Sequence, residues 1–162
     1  MESKMTARPP IPDPPYEGGC LCGAVRYRLN TRPQTINACH CDACKKMSGG
    51  TNLLVITAPH EAFEHLSGEL QRFRRTADSG RQSDVVRCAT CGTRLWHVPQ
   101  APIIVIAAGT LDDPSWVVPA SHGWVEKASP GVLMQDDAAR FTGQAARDQQ
   151  IAAFKKIYGD GS

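Results

Sequence analysis

Hydrophobic and polar positions alternate over short segments through most of the chain. A period of two, as in AVRYRL (residues 24–29), DVVRC (84–88) and part of LWHV (95–98), is typical of strands with one buried face. The continuous β-branched runs TNLLVIT (51–57) and PIIVIA (102–107) predict buried strands. The pattern therefore predicts a mainly β fold.

One segment carries the pattern of a β-hairpin. EHLSGELQRF (residues 64–73) contains two strand-like halves separated by Ser67 and Gly68. A short connection containing glycine is typical of a tight turn between antiparallel strands. We therefore expect these two halves to pair with each other.

The end of the chain has a different period. ARDQQIAAFKKIYG (residues 146–159) repeats its apolar positions with helical spacing, has lysines near its end and closes on Gly159. Basic residues in a last turn followed by glycine are typical of a helix C-terminus. This predicts a C-terminal α-helix near residues 145–158, with Ile151, Phe154 and Tyr158 on one face.

Composition suggests three parts. Residues 1–15 contain five prolines, which predicts an extended, flexible lead-in. Residues 16–135 carry the strand patterns and all of the cysteines, so we expect them to form one β domain. Residues 136–162 form a tail that contains the helix. The total of 162 residues is typical of a single domain with a modest core.

Charge argues against a polyanionic partner. The formal net charge is +2, with 21% charged residues. The strand segment QRFRRT (71–76) has arginines on both sides of Phe73, a pattern that nucleic-acid-binding surfaces share. Without a larger basic surplus, a solvated strand face is the favoured interpretation.

The sequence gives no sign of secretion or membrane insertion. Residues 1–19 have no apolar run of the kind that a secretory signal needs. The longest apolar stretch, PIIVIAAG (102–109), is far too short to span a bilayer. We expect a cytoplasmic protein, and there clustered cysteines bind metal more often than they form disulfides.

Two of the three cysteine groups are C-x-C or C-x-x-C pairs followed by glycine, namely CLCG (20–23) and CATCG (88–92). Such a pair is typical of a zinc knuckle, because the glycine can turn backbone amides towards the sulfurs. Each pair supplies half of a tetrahedral site. Joined, they predict a closed structural site with the ligands Cys20, Cys22, Cys88 and Cys91.

The third group, CHCDAC (39–44), supplies three cysteines and no fourth. In extended chain, Cys39 and Cys41 share a face, and Cys44 follows one turn later. Three thiolates would hold zinc from one side and leave one position for an exchangeable ligand, as catalytic zinc sites do. The hypothesis is a catalytic zinc at this group.

Other arrangements remain open. His40 is an alternative fourth ligand that would close the second site, although strand alternation points it away from Cys39 and Cys41. CDAC could instead join CATC as in a zinc ribbon, which would leave Cys20, Cys22 and Cys39 over. A redox role for a C-x-x-C pair is disfavoured, because no thioredoxin-like βαβ pattern surrounds either pair.

Three segments in order, GGCLCGAVRY, CHCDACKKMSGG and CATCGTRLW, resemble the glutathione-dependent formaldehyde-activating enzyme family, which also includes centromere protein V-like proteins. The resemblance covers roughly residues 17 to 125, and all seven cysteines fall on the family pattern. It implies several short, coiled antiparallel β-sheets around two zinc ions. One zinc would be structural, held by Cys20, Cys22, Cys88 and Cys91, and the other catalytic, held by Cys39, Cys41 and Cys44.

The activity that the resemblance implies is a carbon–sulfur lyase or synthase reaction. In it, glutathione and formaldehyde condense to S-(hydroxymethyl)glutathione. The expected partner is a small thiol or thiol adduct, by default glutathione. Candidate substrate-binding residues are Lys46, Ser48, Gly49, His122 and Trp124. A solvated lysine, a plain turn and ordinary packing are the competing interpretations of these five residues.

Two alternative functions stay open. A non-catalytic zinc module that binds protein or nucleic acid would explain QRFRRT and the centromere-protein branch of the family. An enzyme of the same family acting on other thiol conjugates is the third hypothesis. An exchangeable second zinc separates the first hypothesis from the binding module.

Overall fold

The computed structural model describes residues 8–77 and 80–161. In order, the strands are β1 (Tyr16–Gly19), β2 (Arg26–Leu29), β3 (Thr35–Cys39), β4 (Leu53–Pro59), β5 (Phe63–Ser67), β6 (Leu70–Thr76), β7 (Gln82–Cys88), β8 (Arg94–Pro99), β9 (Ile103–Ala107), β10 (Ser121–Gly123) and β11 (Ala139–Arg140). The α-helices are α1 (Asp42–Ser48) and α2 (Arg147–Tyr158), and short 3₁₀ turns lie at His60–Ala62, Ala108–Thr110 and Val125–Lys127. The predicted mainly β fold with a C-terminal helix is confirmed.

The described chain folds as two compact units, each built from separate segments. The first unit contains Gln34–Val55, the described part of Ser115–Ser162 and the described residues up to Pro12. The second unit contains Asp13–Pro33 and Ile56–Pro114. The three-part division that we expect from composition stays a prediction.

Strand β10 organises the first unit, where the strand order is β11–β10–β3–β4. It runs parallel to β3, with His122 opposite Ala38 and Gly123 opposite Cys39, and parallel to β11. The expectation of antiparallel sheets is therefore wrong at β10. Parallel neighbours need a long crossover, and more than eighty residues separate β3 from β10, so no local pattern announces this pairing.

The core of the first unit contains buried polar side chains beside its apolar ones. The apolar members include Ile36, Leu53, Trp116 and Phe154, and the polar ones are Thr35, Asn37, His40, Ser121 and His122. The Ser121 hydroxyl donates to Asn37 Oδ1 at 2.7 Å, and the Asn37 amide donates to Thr35 Oγ1 at 2.8 Å. Buried polar groups satisfied in this way fix one arrangement of the strands.

Helix α2 belongs to the first unit, and its bounds lie close to the predicted residues 145–158. Phe154 is its buried side chain. The helix stops at Gly159, which has φ 74° and donates its N–H to the carbonyl of Lys155 at 2.9 Å. Glycine reaches this positive φ without the steric penalty that other residues incur.

The second unit contains the strand order β4–β9–β8–β7–β6 and a three-stranded sheet, β1–β2–β5. Its core is built on an aromatic cluster. The ring centroid of Tyr27 lies 5.5 Å from that of Phe63 and 5.8 Å from that of Trp96, and the centroids of Phe63 and Trp96 are 4.8 Å apart. Offset and edge-to-face contacts at these distances are the favoured aromatic geometries.

The predicted hairpin at residues 64–73 is wrong. Its two halves are strands, β5 and β6, but β5 pairs with β2 and β6 pairs with β7. Gly68 explains the difference, because its φ is 90° and a Cβ at this position would lie 2.4 Å from the Ala24 carbonyl oxygen. Glycine permits this close approach at the point where the chain passes from β5 in one sheet to β6 in the other.

Within residues 8–77 and 80–161, none of the helices combines the length and apolar character needed to cross a lipid bilayer.

Candidate metal centres

The second unit contains a four-cysteine cluster formed by Cys20, Cys22, Cys88 and Cys91. Their sulfur atoms all lie within 4.8 Å of one another, with Cys20 and Cys22 separated by 3.4 Å and Cys22 and Cys88 by 3.9 Å. The first pair follows β1, and the second begins at the last residue of β7. None of the chain's seven cysteines, all of which are described, forms a disulfide.

Backbone amides point at the sulfurs of this cluster. The N–H of Val25 donates to Cys20 Sγ at 3.2 Å, and the N–H of Cys91 donates to Cys88 Sγ at 3.4 Å. Gly92 has φ 75° and donates its N–H to the Cys88 carbonyl at 3.0 Å, which completes the turn. Amide donors stabilise thiolate sulfur, the form that binds metal.

The surroundings shift the pKa values of two of these thiols in opposite directions. A hydrogen bond from the Thr93 hydroxyl at 3.1 Å, together with backbone hydrogen bonds from Thr93 and Cys22, lowers the pKa of Cys91 to about 5. The Ala24 N–H lowers the pKa of Cys22, but the neighbouring sulfurs, Cys20 first, raise it to about 11. Four thiolates this close need a cation between them. Four sulfur donors match the tetrahedral preference of zinc, so the cluster fits a closed structural site.

The first unit contains a three-cysteine cluster formed by Cys39, Cys41 and Cys44, whose sulfurs also lie within 4.8 Å of one another. Cys39 ends β3. Cys41 is the N-cap of α1 in an extended conformation, and its sulfur accepts the N–H of Cys44 at 3.4 Å. All three side chains are half-buried. A strand end, a cap and a first helical turn thus bring three sulfurs together within six residues.

No further Cys, His, Asp or Glu donor atom from residues 8–77 and 80–161 joins these three sulfurs within the same distance. Asp42 is adjacent in sequence, but its carboxylate pairs with Lys127 at 2.9 Å and with Lys45 at 3.3 Å. These two lysines, Lys127 first, lower the pKa of Asp42. The three-cysteine cluster therefore offers three protein ligands in the described structure.

The three sulfurs also require a cation if all are ionised. A hydrogen bond shared with Cys39 raises the pKa of Cys44, and burial and the charges of Cys39 and Cys41 raise it further. Three thiolate donors suit zinc and leave a fourth position for another ligand, as catalytic sites do. The two clusters could each hold a metal ion, and their donor sets fit zinc.

His40 lies between two cysteines of this cluster but faces the interior. Its side chain is 0% exposed, and its Nε2 lies 3.0 Å from Nδ1 of His122. His122, 3% exposed, places its Nε2 3.1 Å from Oε1 of Gln135. Burial lowers the pKa of both histidines, which favours the neutral form of both rings. His40 is not among the donors grouped with the three sulfurs.

The zinc-ribbon alternative joins cysteines that the structure does not group. The sulfurs of Cys88 and Cys91 cluster with Cys20 and Cys22, and neither cysteine of CDAC belongs to that cluster.

The candidate substrate-binding residues on α1 lie in its last turn and C-cap. Lys46 is exposed. The Ser48 hydroxyl donates to the carbonyl of Asn52 at 3.0 Å and accepts the N–H of Gly50 at 3.1 Å. Gly49 has φ 68° and caps the helix. Ser48 and Gly49 thus shape the turn that follows α1, whereas the Lys46 ammonium is accessible to a ligand.

Trp124 and His122, the other two candidates, differ in accessibility. Both ring nitrogens of His122 are engaged inside the protein. Trp124 is half-buried and has φ 56°, the only positive φ of a non-glycine residue among those described. The Lys127 ammonium lies 5.4 Å from its ring centroid. Such backbone strain, about 1–3 kcal/mol, tends to occur at functional sites.

Sequence reasoning did not identify Thr93, Lys127 or Gln135 as parts of the two sites. Thr93 lies directly after the glycine of CATCG, so its closeness to the knuckle was available from spacing. Gln135 and Lys127 reach their partners through long-range packing, and nothing in their local sequence indicates it.

Two comparisons with known proteins bear on these centres. The family described as glutathione-dependent formaldehyde-activating enzyme matches residues 15–127. A Halomonas elongata protein named "Putative glutathione-dependent formaldehyde-activating enzyme" is 30% identical over 84 residues, which are 49% of this chain and 54% of the relative. The chain therefore spans about half the length of the curated relative that it matches. The family match covers most of the chain and includes all seven cysteines, and the chain belongs to the glutathione-dependent formaldehyde-activating enzyme family.

Proposed function

We propose that this chain catalyses the addition of a thiol to a small aldehyde and the reverse cleavage, as a zinc-dependent carbon–sulfur lyase or synthase. The default substrates are glutathione and formaldehyde, which the family description names. The observation that supports the proposal most is the three-cysteine cluster, which has no fourth protein donor among the described residues. A purely structural site would be expected to have four.

Cys39, Cys41 and Cys44 would hold the catalytic ion, and Cys20, Cys22, Cys88 and Cys91 the structural one. Zinc bound by three thiolates supplies a position that favours a further sulfur ligand in its thiolate form. A free thiol has a pKa near 8.5 and is mostly protonated at neutral pH. A lower pKa would increase the fraction of thiolate, which is the nucleophilic form of the thiol.

The reaction balances without an oxidant, a reductant or another co-reactant. The thiol sulfur forms a bond to the carbonyl carbon while the π bond of the carbonyl breaks. The thiol proton finishes on the former carbonyl oxygen. The reverse reaction breaks the carbon–sulfur bond and returns the aldehyde and the thiol.

The residues around α1 would contribute binding rather than chemistry. The exposed Lys46 ammonium would attract a carboxylate of the thiol substrate, and the backbone at Ser48 and Gly49 would permit close approach. The half-exposed Trp124 ring would cover an apolar part of the adduct. Lys45 is less available, because it donates to the Lys127 carbonyl at 2.8 Å and pairs with Asp42.

Exchange spectroscopy tests the activity. Glutathione and formaldehyde equilibrate with their adduct in buffer, and NMR exchange rates report the turnover directly. We expect zinc-loaded protein to raise the exchange rate above that of buffer and of the matched Cys41→Ser variant. Equal rates for all three samples would contradict the proposal.

A non-catalytic binding module remains the alternative function. Its structural support is β6, where Arg72 and Phe73 are exposed, although Arg74 is paired with Asp84 at 2.8 Å. Equal exchange rates, together with binding of an oligonucleotide or a peptide, would favour it. Cytoplasmic localisation also stays a prediction.

A further inference from the structure

We propose that His122 is a positioning residue for the three-cysteine cluster: through His40 it holds the segment that carries Cys39 and Cys41. The proposal rests on the proposed function, because it assumes that this cluster binds a metal ion. It assigns His122 a task that differs from direct contact with substrate.

The backbone provides the first link. Gly123 in β10 lies opposite Cys39 at the end of β3, and the N–H of His40 donates to the carbonyl of Gly123 at 3.0 Å. Strand β10 therefore supports the chain up to the residue between the first two sulfurs. Beyond it, the chain leaves the strand and enters α1 at Cys41.

The side chain of His40 provides the second link. Its ring is fully buried, whereas the neighbouring Cys39 and Cys41 are half-buried. Consecutive Cα atoms lie about 3.8 Å apart, so any displacement of the His40 backbone also displaces the backbone of Cys39 and Cys41. A buried ring held in one place restrains that backbone, and with it the positions of two of the three donors.

One hydrogen bond to another side chain orients the His40 ring. Nε2 lies 3.0 Å from His122 Nδ1, and the two rings stack with centroids 5.3 Å apart. His40 Nδ1 is buried and has no hydrogen-bond partner among the described residues. His122 is thus the side chain on which the orientation of His40 depends.

Gln135 specifies the direction of this bond. If the Gln135 carbonyl accepts from Nε2–H of His122, then Nδ1 of His122 carries a lone pair and accepts from Nε2–H of His40. The relay needs no change of protonation. A buried nitrogen without a partner costs stability, so two apolar side chains would pack here at a lower cost. This indicates that the pair serves geometry at the cluster rather than stability of the core.

Cobalt(II) binding tests the proposal, because its absorption bands report both affinity and tetrahedral sulfur geometry. For His122→Leu, which removes the acceptor, we expect affinity at the three-cysteine cluster to fall about tenfold or more, with altered d–d bands. His122→Asn places an amide oxygen near the position of Nδ1 and should restore most of the affinity. The four-cysteine cluster serves as the internal control and should bind cobalt as before.

Phe154→Leu is the matched control for a general loss of packing in the same unit. It should lower stability but leave the cobalt affinity and bands unchanged. If Phe154→Leu and His122→Leu weaken the cluster equally, or if His122→Leu binds cobalt like wild type, the positioning role is overturned. Should His122→Leu fail to fold, Gln135→Leu takes its place in the test. We expect Gln135→Leu to lower the cobalt affinity of the three-cysteine cluster by a smaller factor than His122→Leu. An unchanged affinity would contradict the proposal.

The two proposals fail in distinguishable ways. Wild-type protein that binds cobalt only at the four-cysteine cluster overturns the proposed function and, with it, this inference. Wild-type protein that fills both clusters while the His122 and Gln135 variants match it overturns this inference alone.

Discussion

The four-cysteine and three-cysteine clusters both consist of sulfur donors, but they differ in the number of sulfurs and in the hydrogen bonds that surround them. Two knuckle turns hold the four sulfurs, with backbone amides and the Thr93 hydroxyl directed at them. The three sulfurs lie at the start of the seven-residue α1, whose Asp42 pairs with Lys127 in an exposed ion pair. The number of sulfurs and the hydrogen bonds around them differ in the direction that our proposal of one structural and one exchangeable site requires.

Cys88→Ser should have the largest effect on stability. Cys88 is buried at the end of β7, and a closed zinc site contributes folding free energy directly. We expect a loss of about 5 kcal/mol or more, comparable with the net stability of an entire domain, together with poor soluble yield. Urea unfolding of the zinc-loaded protein measures it. A loss below about 1 kcal/mol would mean that this cluster is not structural.

Cys41→Ser should remove activity while sparing the fold. Cys41 caps α1 through its sulfur, and serine is a good N-cap residue, so α1 should keep its start. The second metal ion and the exchange activity should be lost, with stability within about 1 kcal/mol of wild type.

Cys41→Ala separates the loss of the metal ligand from the loss of the helix cap. It also loses the metal and the activity, but it removes the cap as well, and should be about 1 kcal/mol less stable than Cys41→Ser. If Cys41→Ser unfolds the protein as severely as Cys88→Ser, our division of the clusters is wrong.

Thr93→Val tests the support of the four-cysteine cluster. The Thr93 hydroxyl donates to Cys91 and accepts the N–H of Leu21 at 3.2 Å, so valine removes two hydrogen bonds at almost constant shape. We expect Tm to fall by about 2–4 °C, whereas Thr93→Ser should stay close to wild type. Equal Tm values for the two variants would show that the hydroxyl contributes nothing.

Lys127→Met should have the smallest effect. Lys127 pairs with Asp42 and lies over the ring of Trp124, and both contacts are exposed to solvent. Exposed ion pairs contribute little, so we expect Tm to change by no more than about 2 °C, and molar salt to remove the difference. A larger change would mean that α1 depends on this ion pair.

Local sequence patterns predicted many of the strands and the C-terminal helix, but they did not predict which distant strands pair. The period-two and β-branched runs correspond to strands, and the helix ends at Gly159 as its sequence predicts. The turn at Gly68 resembled a hairpin in its local sequence, but β5 and β6 pair with the distant strands β2 and β7, and no local pattern indicates those partners. The parallel pairing of β10 was missed for the same reason.

In the candidate sites, too, local contacts could be predicted from the sequence and long-range contacts could not. Short spacings place most of the sulfurs near one another, because residues one to three apart meet without help from the rest of the fold. Alternation also indicated that His40 faces away from Cys39 and Cys41. Its partner His122 lies 82 residues away, so the contact between the two rings depends on the packing of β10 against β3. The metal and substrate roles of all these residues stay predictions.

Zinc content per chain, measured by elemental analysis before and after dialysis against millimolar glutathione, shows directly whether the two clusters differ in exchange. A closed four-thiolate site should resist the thiol, whereas a three-thiolate site should exchange with it. We predict that about two zinc ions per chain fall to about one. Variants that lack Cys39, Cys41 or Cys44 should begin with about one ion and lose none. Two ions that both survive dialysis would contradict the account, since the three-cysteine cluster would then have a fourth protein ligand.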